Sequence, residues 1–194
     1  MLALLALGCA GAVALAQDRP PTTAVGAGAS VPDQGTAAAA PCILVYGHGR
    51  NFVAEMPAAN AHWNELNQRF TQGTALTLSA SGRRAVSMAL PVEARDVPAN
   101  LSRLLQRASA EGCDRVVEAT VMGDAATDQV IVRLRLHAIA RAPGPPRLDS
   151  GMNIGTPELT VQRELPLNHR TLARVMSDEL ARQMSTELLD HLNR

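Results

Sequence analysis

The stretch PCILVYGHGRN, residues 41–51, holds a thiol and an imidazole on one short segment, Cys42 and His48. A thiol beside a base is the pairing a nucleophilic cysteine needs, because the thiolate is the reactive form. Cys42, however, opens an apolar run to Tyr46 of the kind that forms a strand covered on both faces. The two side chains then sit near opposite ends of one strand and need not face each other. Gly47-His48-Gly49-Arg50 admits two other chemical readings. A dinucleotide fingerprint wants a third glycine where Phe52 stands, and Pro57 intervenes before the next helix. A hydrolase oxyanion loop wants a nucleophile elbow, and no G-x-S-x-G occurs in the chain. No residue is assigned a catalytic role. The enzymatic alternative that stays open is a small periplasmic hydrolase built around Tyr46 to Arg50.

Other chemistries are narrowed by composition. His48, His62, His137, His169 and His191 fall at no metal-ligand spacing, and neither CxxC nor HExxH is present, so no metal site is expected. All 18 basic residues are arginine, which removes P-loop, Schiff-base and kinase-type lysines. No cofactor is expected. A formal net charge of zero, with one Trp, one Tyr and two Phe, supplies neither the electrostatic footprint nor the stacking platform of a nucleic-acid binder.

The elements that must position these residues follow from periodicity. The apolar run 42–46 reads as a strand. Trp63, Leu66, Phe70, Leu76 and Leu78 support a helix from Asn60 to about Ser81, weakened by Gly73 and several threonines. RRAVSMAL, residues 83–90, is a second strand. Asp96 can cap a second helix with Pro98 in its first turn and Gly112 at its end. Val117, Ala119 and Val121 alternate in one strand and Val130, Val132, Leu134, Leu136 and Ala138 in the next. The short polar turn GDAATD makes the two a hairpin, with Arg133, Arg135 and His137 on its wet face. A Pro/Gly loop from Arg141 to Pro157 leads to the strand ELTVQRELPL. Leu172, Val175, Met176, Leu180, Met184, Leu188 and Leu192 then stripe one long helix from about His169. The order β-α-β-α-β-β-β-α predicts a single α/β domain bordering on α+β. Its mixed sheet has four to five strands, with two helices and a long C-terminal helix packed on it.

Compartment is read from the amino terminus and the cysteines. Residues 1–16 are apolar, too short to span a bilayer, and end in the A-x-A pattern Ala14-Leu15-Ala16 of a cleaved signal peptide, although its positive n-region is missing. LALGC, ending at Cys9, resembles a bacterial lipobox, so lipidation of Cys9 stands beside cleavage after Ala16. Residues 17–40 are Pro, Gly, Ala, Thr and Ser with almost no large apolar side chain, a flexible tether ahead of the domain at 41–194. Cys42 and Cys113 remain as an even pair, each just before a strand. If those strands are parallel neighbours, a disulfide is within reach; two buried thiols are the alternative.

Gly112-Cys113-Asp114 followed by RVVEATV, then VIVRLRLHAI, a further strand and LARVMSDELARQM resembles the N-terminal α/β domain of the TolB translocation protein. It is similar as well to the related domains of curli-secretion and penicillin-binding-protein-activator lipoproteins. The resemblance runs from Ile43 onward as an order of elements. It implies a non-enzymatic module of the cell envelope that binds other proteins, and it carries over no catalytic residue. The expected protein is therefore exported, periplasmic or anchored at the outer membrane, and touches membrane only through an N-terminal lipid. Its partners would be envelope proteins, met through a sheet edge, the 141–157 loop with Met152 and Ile154, Arg133 and Arg135, or the outer side of the last helix. A periplasmic ligand carrier with a pocket beside the Arg141 loop is the third alternative.

Overall fold

The computed structural model describes residues 41–141 and 152–193. The leader at 1–16, Cys9, the tether at 17–40 and the segment 142–151 lie outside the described residues. The chain runs β1 (Cys42–His48), α1 (Pro57–Ala80), β2 (Arg84–Leu90), α2 (Val97–Glu111), β3 (Cys113–Asp124), β4 (Gln129–Arg141), β5 (Met152–Pro166), α3 (His169–Met176) and α4 (Glu179–Leu192). The fold is α/β, with one mixed five-stranded sheet in the order β2-β1-β3-β4-β5. β2 and β3 flank β1 in parallel, and β3, β4 and β5 form an antiparallel meander.

The order of the first three strands decides where the helices go. The crossover from β1 to β2 moves one way along the sheet and that from β2 to β3 moves back, so right-handed connections put α1 and α2 on opposite faces. The first face carries Ile43, Val45, Val117, Ala119, Val121, Val132, Leu134 and Leu136 against α1, α3 and α4, and this is the main core. On the second face Cys42, Leu44, Tyr46 and Val116 meet Leu104, Leu105 and Ala108 of α2. α2 begins and ends as its sequence predicts. The Asp96 side chain accepts from the Ala99 amide at 3.0 Å, and Gly112 closes the helix at φ 65°.

Three expectations need correction. The last helix is two: Ser177 and Asp178 interrupt it, with Asp178 at φ 60°, although Val175, Leu180, Met184 and Leu188 still share one buried face. Asp is among the few residues that tolerate the left-handed region, so the break falls where it is least strained. Gly73, which weakens α1 by propensity, is needed there, since a Cβ on it would sit 2.9 Å from Oδ1 of Asp178 and 3.0 Å from Cβ of Ala181.

Secondly, Met152 and Ile154 are not loop residues. β5 begins at Met152, pairs Ile154 with Ile139, and continues through Pro157 across a register shift at His137. Pro is tolerated because β5 pairs only with β4 among the described strands, so its outer N–H positions have no ladder to complete. Both side chains are half-buried against the second core. Thirdly, Arg133 and Arg135 are half-buried on the second face and not fully solvated.

Cys42 and Cys113 are register partners at the first rung of β1 and β3, and they form a disulfide across a sequence separation of 71. Closing a loop of that length restricts the unfolded chain and stabilises the fold by about 2–4 kcal/mol. Reduction, or the pair Cys42→Ala and Cys113→Ala, is expected to lower the urea midpoint accordingly. Identical midpoints with and without reductant would show that the bridge contributes nothing.

Candidate functional site

Strand alternation selects which side chains reach the second face of the sheet. One rung runs Tyr46, Glu118, Arg135 and Thr160 across β1, β3, β4 and β5. The neighbouring rungs pair Thr120 with Arg133 and Val116 with His137. α2 covers only the part of this face beneath Leu104, Leu105 and Ala108. Beyond its edge the face turns polar around one carboxylate.

Glu118 is 14% exposed and shared by four cationic or imidazole groups. Its Oε1 accepts from Nε2 of His48 at 2.8 Å and lies 3.7 Å from Nη2 of Arg50. Its Oε2 lies 2.8 Å from Nε of Arg135 and 4.0 Å from Nε2 of His137. The Arg135 N–H is not aimed at the carboxylate, so that contact is an ion pair without hydrogen-bond geometry. An ionised carboxylate only accepts, which puts the His48 proton on Nε2. His137 donates from Nδ1 to the Gly155 carbonyl at 2.9 Å, which ties the ring to β5.

Burial alone would raise the Glu118 carboxyl, but the His48 hydrogen bond and the charge of Arg135, His48 and Arg133 outweigh it and hold it down at about 2. Burial, helped by Glu118, pushes the Tyr46 phenol up to about 12. Glu118 is thus a fixed anion and Tyr46 a fixed neutral phenol across the neutral range.

Beside this cluster lies a cleft of about 960 Å³, within the size range of small-ligand pockets. Glu118, His48 and His137 form its polar floor. Phe52, Val92, Val97, Leu101, Leu104 and Ile154 supply apolar walls, and Arg50 and Arg95 stand in its lining. The cleft opens beyond the carboxyl end of β1, next to β3. In open α/β sheets that is the point where the connections diverge and a crevice forms.

The loop that follows β1 is held by side-chain amides. β1 ends at His48 while β3 runs on, leaving the outer edge of β3 short of partners. Asn67 takes that place for Val121, accepting from its amide at 3.0 Å and donating to its carbonyl at 3.1 Å. Asn51 does the same for Gly123, with both bonds at 2.9 Å. Asn60 pairs likewise with the Val53 backbone, again with both bonds at 2.9 Å. These bonds place Arg50 and Phe52 at the cleft.

Gly47 and Gly49 serve packing. A Cβ on Gly47 would meet Oγ1 of Thr71 at 1.9 Å, and one on Gly49 would meet Cγ1 of Val92 at 2.1 Å. The glycines let α1 and the loop after β2 close on the strand end.

Of the residues singled out in the sequence, His48, Tyr46, Arg50, Arg133, Arg135 and Ile154 converge at or beside the cleft. Met152 packs in the second core. Cys42 lies at the opposite end of β1 from His48, roughly 20 Å away at strand rise, so the two form no nucleophile and base pair. The sequence analysis assigns Glu118 no role; the signal available for it is a carboxylate between Val117 and Ala119 in the apolar middle of β3, opposite Arg135. Among the described residues, no group of three or more His, Cys, Asp or Glu could hold a metal ion, and no helix is long and apolar enough to cross a membrane.

No protein-family model matches the chain, and no curated protein matches it in sequence. Among solved structures it is similar to a substitution variant of the PelC dodecamer from Paraburkholderia phytofirmans, at 11% identity and a TM-score of 0.36, covering 75% of this chain and 88% of that one. A second form of the same dodecamer is similar at 14% identity and a TM-score of 0.34, covering 75% of this chain and 86% of that one. Likenesses of this size bear on no residue of the site.

The depressed Glu118 carboxyl makes a stability prediction. A group whose folded value lies below its ordinary 4.5 stabilises the fold above that value and loses the contribution as pH falls toward the folded value. From about pH 5 to about pH 2, the wild type should therefore lose about 3 kcal/mol more than Glu118→Gln. Urea titrations at a series of pH values measure this, and parallel curves would contradict the cluster.

Proposed function

We propose that this protein is exported to an oxidising compartment of the bacterial envelope, periplasmic or anchored at the outer membrane, and acts there by binding rather than by catalysis. The observation that carries the reading is the Cys42–Cys113 bridge. Structural disulfides belong to oxidising compartments, and this one occupies the thiol that a cysteine mechanism at this strand would use. The signal-like or lipobox-like leader points the same way.

The cleft supports binding as the mode of action. Among the described residues its lining contains no Ser, Thr or Cys, and the Glu118 carboxyl and the Tyr46 phenol are held far from neutral values. A general acid or base works best with its pKa near the working pH, so neither group is tuned for proton transfer. The hydrolase reading of Tyr46 to Arg50 has a histidine oriented by a carboxylate and, among the described residues, no nucleophile in the cleft lining. The order of elements is compatible with the envelope-module resemblance, which remains part of this proposal. The role as a scaffold for other envelope proteins belongs to it as well.

The test is the full chain expressed in a bacterial host with its leader intact, fractionated and weighed by mass spectrometry with and without reduction and alkylation. The expected product begins at Gln17 or at a lipidated Cys9, and Cys42 and Cys113 resist alkylation until reduced. An uncleaved chain in the cytoplasm with alkylatable thiols would overturn the reading.

A further inference from the structure

Around the cleft floor, positive charge exceeds negative. Arg50, Arg133 and Arg135 are permanent cations, and Glu118 is the carboxylate they share. One carboxylate cannot neutralise three guanidinium groups, even before either histidine takes a proton. The surplus is also short of hydrogen-bond partners. Nε and Nη2 of Arg133 are buried with no acceptor among the described residues, and the same holds for Oγ1 of Thr120, its register partner on β3. Unpaired buried donors are costly; Arg133 stands behind the residues that line the cleft, so it adds positive charge there and makes no contact with the ligand. Burial, together with Arg135 and Arg50, pushes the Arg133 guanidinium below its ordinary range, with Glu118 opposing only in part.

Arg50 and one further cation, Arg95, stand in the cleft lining. Arg50 is 47% exposed, and its nearest carboxylate contact is the 3.7 Å approach to Glu118. Arg95 stacks over the Phe52 ring at 5.1 Å, with no carboxylate within ion-pair distance among the described residues. The mouth beside them is apolar. Val97 is 72% exposed and Leu101 is 42% exposed, two of the few large hydrophobic side chains that the described surface leaves in water.

We infer that the cleft binds a small organic anion. Its acidic group is met by Arg50 and Arg95, with Arg133 and Arg135 behind them supplying the surplus charge. Its apolar body lies along Phe52, Val97 and Leu101. The inference rests on the binding reading above and adds the ligand class. Glu118 then has a defined part: it keeps Arg50, Arg135 and His48 gathered without neutralising them. It also repels any acid that would push past Arg50 to the floor. The acid group therefore seats at the guanidinium groups of the rim and not on the imidazoles.

The experiment uses the full chain and the fluorescent anion 8-anilinonaphthalene-1-sulfonate, displaced by decanoate, by decanol or by decyltrimethylammonium. Decanoate should displace the probe at about tenfold lower concentration than decanol, the size of one lost charge-assisted contact. The cation should displace it least. Measured by isothermal titration without the probe, Arg50→Gln combined with Arg95→Gln should weaken decanoate by about tenfold and leave decanol unchanged. Both arginines are outside the core, and an unchanged urea midpoint checks that the variant is folded.

Failure of the probe to bind, equal displacement by the acid and the alcohol, or decanoate affinity indifferent to the two substitutions would each overturn the inference. Thiol protection and leader processing are read separately. A correctly exported, bridged protein that ignores decanoate would sink the ligand class alone.

Discussion

The parallel pairing of β1 with β3 is the contact on which the rest of the molecule depends. It joins the two crossover units to the antiparallel meander, and its partners are distant in sequence. The disulfide closes its first rung. Because β2 lies on the other side of β1, the two crossovers must cover opposite faces, and the sheet acquires two cores of unequal size. The larger is built by three helices. Among the described elements α2 alone covers the smaller, and it is too narrow to reach from β1 to β5. An uncovered stretch of the second face is therefore a consequence of topology, before any side chain is considered.

What fills that stretch follows from the cost of leaving it apolar or charged. A bare apolar face would invite association, while a lone buried carboxylate costs several kcal/mol unless paired. The chain meets both constraints with alternating charges, Glu118 on β3 against Arg133, Arg135 and His137 on β4, with His48 from the end of β1 and Arg50 from the loop after it. The pairing is strong enough to reverse the effect of burial on Glu118. It is not balanced, and the unsatisfied donors of Arg133 mark where the imbalance sits.

Much of the architecture is legible in the sequence because local signals and tertiary requirements agree there. Asp96, Pro98 and Gly112 frame α2, and the alternation of Val130 to Leu136 specifies β4. Where they disagree, the reading fails for identifiable reasons. The stripe from Leu172 to Leu192 keeps helical phase across Ser177 and Asp178, so periodicity alone cannot see the break. Gly and Pro in 152–157 read as loop, yet an edge strand tolerates both. Glu118 was recoverable in principle. It lies six residues before Asp124 and Arg135 six after Gln129, the pair that closes the hairpin, so the turn alone puts them face to face. Distance from β1 was not recoverable, because no local pattern reports which strand lies beside β3.

The Gly-His-Gly turn is where these constraints meet. Its glycines are required by contact with Thr71 and Val92, a packing demand that looks in sequence like a phosphate loop. Its histidine faces the opposite side of the strand end and finds its partner on β3. Beyond it, Asn51 completes the edge of β3 with its side-chain amide, which turns the chain back over the sheet and carries Arg50 and Phe52 to the cleft. One strand end thus supplies a packing surface, a ligand for Glu118 and an arginine at the cleft opening. All three are placed by the register of β1 against β3.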